Sequence, residues 1–360
     1  MLFLTRWFGV TGSDAERSLA RENAKIEAIV EKVLELQAQT ASQEQRPLGR
    51  GTHAKGTCIR AEFEVFDVAR SRDRELAARL ARGIFAAPGT YPAVVRFANA
   101  DPNMNSDFKP DVRALSFSVD LTRNASNTSN GNDRQDFSLQ NARTLPINDA
   151  DAFLAAMKVI TASTKIAGLW SLPFKDKLRT LRTLTLTEFQ AHQKIKPYQQ
   201  LRYWSTVPFR HGPIDVVKHS ATPSPTNPAG PLSTANPNAL QEELIRHVNE
   251  DSVMSSFEIG LQFLDIDRMT YWGKRRDTNF WIENASLKWH EAESPFHTVA
   301  RLTLLPKSQI VSEAEKAVYF DVTGHSTADS KPVGSMNRIR WSGEVASRKA
   351  RIQPGGKSGK

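Results

Sequence analysis

Apolar and polar residues alternate strictly over several short stretches of this chain. Between Cys58 and Phe66, Ile59, Ala61, Phe63 and Val65 alternate with Arg60, Glu62 and Glu64. Leu115, Phe117, Val119 and Leu121 alternate in the same way with Ser116, Ser118 and Asp120. Phe257, Ile259, Leu261 and Phe263 repeat the pattern, and Val299, Leu302 and Leu304 close another apolar segment before Pro306. A period of two puts each set on its own face of an extended chain, so these stretches predict strands. Spread as they are, they predict an antiparallel sheet that can close as a barrel. Helical spacing replaces alternation over residues 14 to 38, where Leu19, Ile26, Ile29, Val30, Val33, Leu34 and Leu36 share a face and Ser13 or Asp14 can cap the start. Shorter helical stretches fall at about 73–84, 149–163, 175–195 and 238–249. The fold class is therefore α+β.

Two polar segments read as exposed loops. Thr122 to Gln135 is rich in Asn, Ser and Thr, and Ala221 to Pro237 carries five prolines. Strand signals of one kind flank both loops, so they interrupt one domain rather than divide two. The expected organisation is an N-terminal helical arm over 1–45 that docks on the body, a single domain over 46–345, and a basic flexible tail over 346–360.

The 360 residues, 39% of them hydrophobic, suffice for one large core. No stretch approaches the roughly 18 consecutive apolar residues of a membrane span. Met1 to Val10 carries Arg6 in an apolar patch too short for a signal-peptide core, which makes a cytoplasmic location the expectation. Cys58 is the single cysteine, which excludes an internal disulfide and a Cys-rich metal site. The net charge of +9 raises the possibility of nucleic-acid binding. Against it, basic and acidic residues alternate along most of the chain, and no base-stacking platform accompanies the charge. The concentrated positive stretch, Arg338 to Lys360, reads as a Gly- and Ser-containing tail.

Candidate chemistry centres on Arg50-Gly51-Thr52-His53-Ala54-Lys55-Gly56, directly ahead of the first strand. A lone histidine there is weak, but its surroundings resemble, in spacing, the segment of catalases that carries the distal histidine. Val94-Val95-Arg96-Phe97, followed by Asp107 and Asp111-Val112-Arg113, resembles the catalase stretch where an arginine reaches a haem propionate. Asp136-Phe137-Ser138-Leu139-Gln140-Asn141, followed by Asp149 and Phe153, resembles the segment with the distal asparagine. Tyr203-Trp204-Ser205 to Arg210-His211-Gly212, Asn284 to Phe296, and Pro332-Val333-Gly334-Ser335-Met336-Asn337-Arg338 are similar to short catalase-like haem proteins. The resemblance covers roughly residues 46 to 345 and implies the catalase superfamily: an antiparallel β-barrel with surrounding helices, a haem b cofactor, and a homo-oligomer.

Under that resemblance His53 is a proton acceptor and then donor to peroxide, a task its reference pKa suits. Asn141 is an uncharged donor that positions the peroxide. Arg50 and Arg96 pair with the propionates, and Phe153 packs on the porphyrin face. Without it, Asn141 reads as a turn residue, the arginines as surface ion-pair members and Phe153 as helix core. Thr52 departs from the valine usual in catalases and resembles the coral allene oxide synthases of the same fold. Its hydroxyl beside the imidazole predicts reduced readiness to take a proton from hydrogen peroxide, and Ala98 replaces the usual serine. The family ligates iron through a tyrosine four residues after an arginine. Here Arg340 takes the arginine position and Glu344 stands where the tyrosine is expected, so the metal ligand is left open, with His325 another candidate donor. Two readings follow. One is a peroxide-active haem protein favouring slow peroxidase or fatty-acid hydroperoxide chemistry over fast catalase. The other is a catalase-fold descendant that has lost its proximal ligand and serves as a binding or interaction scaffold.

Overall fold

The computed structural model describes residues 13–70, 73–122 and 133–352. A long helix, α1 (Ser13–Gln43), precedes strand β1 (Gly56–Val65), helix α2 (Arg74–Leu80) and strands β2 (Gly89–Asn99), β3 (Arg113–Asp120) and β4 (Arg134–Gln140). Three helices follow, α3 (Ala150–Ile160), α4 (Lys165–Ser171) and α5 (Phe174–Ala191), then strands β5 (Tyr203–Trp204), β6 (Phe209–His211) and β7 (Asp215–Pro223). Helix α6 (Ala239–Glu250), strand β8 (Ser256–Phe263), helix α7 (Thr278–Glu283), strand β9 (Phe296–Ile310) and helices α8 (Ser312–Ala317) and α9 (Ser335–Ile352) complete the order.

The sheet closes on itself. Strands run β5-β4-β3-β2-β1-β9-β8-β7-β6, and a further β5–β7 pairing joins the two ends. The ring contains eight antiparallel strands, with β6 sharing an edge of β7 beside β5. Closure pairs the strand edges that an open sheet would expose. Alternation then sends one face of each strand inward. Phe63, Phe117 and Phe137 meet inside with ring centroids 4.5 to 6.1 Å apart, each burial contributing about 1.5–3 kcal/mol. Strand β9 continues beyond Pro306, past the apolar segment that precedes it. The β1–β9 register shifts between Ile59/Gln309 and Ala61/Leu304, so Pro306 falls in an irregularity where it removes no ladder donor.

A second apolar layer lies on the barrel's outer face, where Ile29 of α1, Ala150 of α3 and Met336 and Ile339 of α9 pack together. Helix α1 lies on α3 and α9. At the other end, residues 346–352 are helical rather than part of a tail, because Arg340, Glu344, Ser347, Arg348 and Arg351 recur at helical spacing on one face. The rest of that tail, and most of the loop expected at 122–135, lies outside the described residues. Among the described residues, no helix is long and apolar enough to cross a membrane.

Candidate active site

A cavity of about 440 Å³ lies between the outer face of β2–β4 and the layer formed by α1, α3 and α9. Its floor follows from register. Arg96 faces Ser116 and Ser116 faces Ser138 across the strands, while Ala98 faces Ala114 and Ala114 faces Gln140. All six line the cavity. The small side chains of Ala98, Ala114, Ser116 and Ser138 leave space unfilled between the sheet and the helices. The remaining lining includes the apolar Ile29, Val33, Phe153, Val207, Met336 and Ile339.

His53 projects from the loop ahead of β1. Its backbone is left-handed, with φ of 56°, a conformation histidine adopts more readily than bulky residues. Two backbone bonds pin it: His53 N donates to Ala100 O (3.1 Å) and Ala54 N to Asp101 O (3.3 Å). The Thr52 hydroxyl lies 3.1 Å from His53 Nδ1. Burial, then the neighbouring Arg96, Arg340 and Arg50, lower the imidazole's pKa to about 3, so it is neutral around pH 7.

Five arginines line the cavity, Arg50, Arg96, Arg340, Arg348 and Arg351, against one carboxylate, Glu344. Arg50 donates to Val318 O (2.6 Å), and burial with the nearby Arg96 and Arg351 brings its pKa down to about 9. Arg96 donates through Nη2 to Ala54 O (3.2 Å), and its buried Nε finds no acceptor among the described residues. Gly56 makes room for this guanidinium, since a Cβ there would lie 2.7 Å from Arg96 Nη2. Converging cations with an orphaned donor suit an anionic ligand.

On α9, Arg340 Nε donates to Glu344 Oε1 (2.7 Å) and Nη2 to Ser138 Oγ. Burial raises the Glu344 carboxyl above its ordinary range, with Arg340 opposing the shift. Tyr319 also lines the cavity, its ring beneath Arg348 at 4.3 Å.

The structure thus brings Arg50, Thr52, His53, Arg96, Phe153, Arg340 and Glu344 to one cavity. It does not bring Asn141 there. Asn141 accepts from Arg113 N through Oδ1 (2.7 Å) and donates through Nδ2 to Gln193 Oε1 (3.3 Å), which hold its amide in the layer behind the floor. Gln140 faces the cavity in its stead, as strand alternation at the end of β4 requires. His325 is tied to Asp136 Oδ2 (2.8 Å) and does not line the cavity. The additional lining residues Arg348 and Arg351 were signalled by their helical spacing from Arg340, a pattern obscured by reading the segment as a tail. Tyr319 had no such signal.

Solved structures similar to this chain include catalases. A fungal catalase superposes with a TM-score of 0.62 at 14% identity, covering 88% of this chain and 62% of its own. A bacterial catalase gives 0.56 at 13%, covering 88% and 60%. Catalase A from Saccharomyces cerevisiae gives 0.62 at 12%, covering 88% and 64%. The chain therefore has a catalase-like fold, and it spans less than two thirds of the length of these catalases. No family model and no curated protein matches it.

Proposed function

We propose that this chain is a catalase-fold haem protein that acts on peroxides, favouring organic or fatty-acid hydroperoxides over fast dismutation of hydrogen peroxide. The observation that carries this reading is the convergence of His53, Arg50, Arg96 and Phe153 on one cavity that also has an apolar stretch of lining. The residues fit the periphery of a haem. Arg50 and Arg96, the latter with its orphaned Nε, would take the two carboxylates, with Arg351 beside them, and Phe153 would pack on the ring face. When bound, haem would supply the redox-active iron needed for O–O cleavage.

The protein's own contribution is proton handling and exclusion of water. A neutral His53 accepts the peroxide proton and returns it to the departing oxygen. Two features make that base reluctant. Its conjugate acid is strong, with a pKa near 3, and the Thr52 hydroxyl lies within hydrogen-bond distance of Nδ1. Both favour slow turnover. The apolar lining of Ile29, Val33 and Ile339 accommodates an alkyl chain, which supports the organic hydroperoxide class.

One observation favours the second reading, a scaffold without haem. The group at the expected tyrosine position, Glu344, is already paired with Arg340 at 2.7 Å. Reconstitution decides between the two. Protein titrated with haem is expected to develop a stoichiometric Soret band, and His53→Ala to keep that band while losing peroxide-dependent oxidation. Protein that remains colourless after reconstitution would leave only the scaffold.

A further inference from the structure

Helix α5 has inverted polarity. Its inward side buries Thr180 and Thr183, whose hydroxyls find no partner among the described residues. Its outward side presents Phe174, Leu178, Leu181 and Phe189, and α4 continues the exposed row with Ile166 and Trp170. These six side chains are between 47% and 79% exposed. Positions 174, 178 and 181 are spaced four and three apart, so they form one stripe, and Phe174 to Phe189 spans about 22 Å at 1.5 Å per residue. Apolar groups belong on the other side of such a helix when its outer medium is water.

The segment carrying the stripe is cationic. From Lys165 to Lys196 the chain has seven cations, Lys165, Lys175, Lys177, Arg179, Arg182, Lys194 and Lys196, against Asp176 and Glu188. Both acids have local partners, Asp176 with Arg179 (3.5 Å) and Glu188 with His192 (3.6 Å). Lys177 Nζ lies 4.9 Å from the centre of the Trp170 ring, joining the tryptophan to a cation. A second copy of this face would bring like charges together. An anionic bilayer surface would meet both features: phosphates with the lysines, and the headgroup–acyl boundary with Trp170, Phe174 and Leu178.

We propose that α4 and α5 form a docking surface that lies flat on anionic lipid. The docking itself does not depend on the haem reading. Only its consequence does: α5 packs on α3, whose Phe153 lines the cavity, so docking brings the candidate active site beside a source of lipid hydroperoxide.

The test is cosedimentation of the full chain, without haem, with vesicles of phosphatidylcholine alone or mixed with phosphatidylglycerol. Binding is expected on the mixed vesicles, weakened about tenfold or more on phosphatidylcholine alone or in high salt. The combined Trp170→Ser, Phe174→Ser and Leu178→Ser variant is expected to lose that binding with an unchanged unfolding curve. Should that variant misfold, Phe189→Ser at the far end of the stripe is expected to weaken binding by itself. Wild-type protein left in the supernatant with the mixed vesicles would overturn the proposal. So would a stripe variant that still binds, or one whose only effect is to abolish a concentration-dependent dimer seen by light scattering.

Discussion

His53 and Glu344 face the same cavity from walls built in different ways. The His53 wall is a strand floor whose loop is clamped from behind by a buried polar network. Lys55 Nζ lies 2.8 Å from Asp107 Oδ1, with the lysine 2% and the aspartate 0% exposed. Asn99 Nδ2 donates to Asp107 Oδ1 (2.9 Å), Tyr198 Oη to Asn99 Oδ1 (2.7 Å) and Leu240 N to Asp107 Oδ2 (2.8 Å). The Glu344 wall is one helical face, where Arg340 and Glu344 satisfy one another at a single turn's separation. The first wall is fixed by register and buried charge, whereas a helix face exchanges one side chain for another locally.

The largest expected effect separates the walls by stability. Lys55→Met should lower unfolding free energy by about 3–5 kcal/mol, because it leaves Asp107 buried and uncompensated. Glu344→Gln, whose partner Arg340 faces the cavity, should cost under about 1 kcal/mol. Urea unfolding of both variants checks the contrast, and equal losses would mean that the two walls are held alike.

Acid should act on two groups, one inside the barrel and one on the cavity, in opposite directions. His219, packed between the Phe137 and Phe209 rings, has its pKa lowered to about 3 by burial and by His211. Its unfolded form takes a proton near pH 6.5 while the folded form does not, so stability present above that value is lost as pH falls towards 3. Between about pH 7 and 5 the loss is about 2 kcal/mol, and it should shrink in His219→Phe. The Glu344 carboxyl is shifted upward instead, so the folded state binds its proton more readily and this group alone stabilises the fold as pH falls through its folded pKa. Glu344→Gln should therefore steepen the acid loss, and a shallower profile would contradict the assignment.

Two smaller effects concern the chemistry. Glu344→Tyr should tighten haem binding about tenfold, through a phenolate held ionised by Arg340. An unchanged affinity in a haem titration would show that position 344 does not address the ring. Thr52→Val should raise peroxide turnover about fivefold, the effect of removing one hydrogen bond of roughly 1 kcal/mol from the imidazole. A fall in rate would show that the hydroxyl assists His53.

Much of this was legible along the chain, and the limits have physical causes. Strict alternation over Ile59–Val65 and Leu115–Leu121 marks strands because a period of two has no helical counterpart. Strands β5 and β6 are too short, at two and three residues, to show any period, although β5 closes the barrel. Helix α9 was not among the expected helices, because its cationic face, read without the cavity, has the composition of a tail. Asn141 illustrates the opposite limit. The resemblance to catalases implied a cavity amide, yet one step past Gln140 turns the side chain to the other face, where Arg113 and Gln193 engage it.

By itself the order of residues determined the α+β class, because local periodicity is a property of neighbouring positions; Arg50, Thr52, His53, Arg96 and Phe153 stood out only through the resemblance to catalases, and the fold places them on one cavity. Only the tertiary structure decided that eight strands close, that Arg348, Arg351 and Tyr319 join the cavity, and that an apolar stripe is left outside on α5. Those depend on which faces meet, and pairing between distant segments is set by the packing of the whole chain.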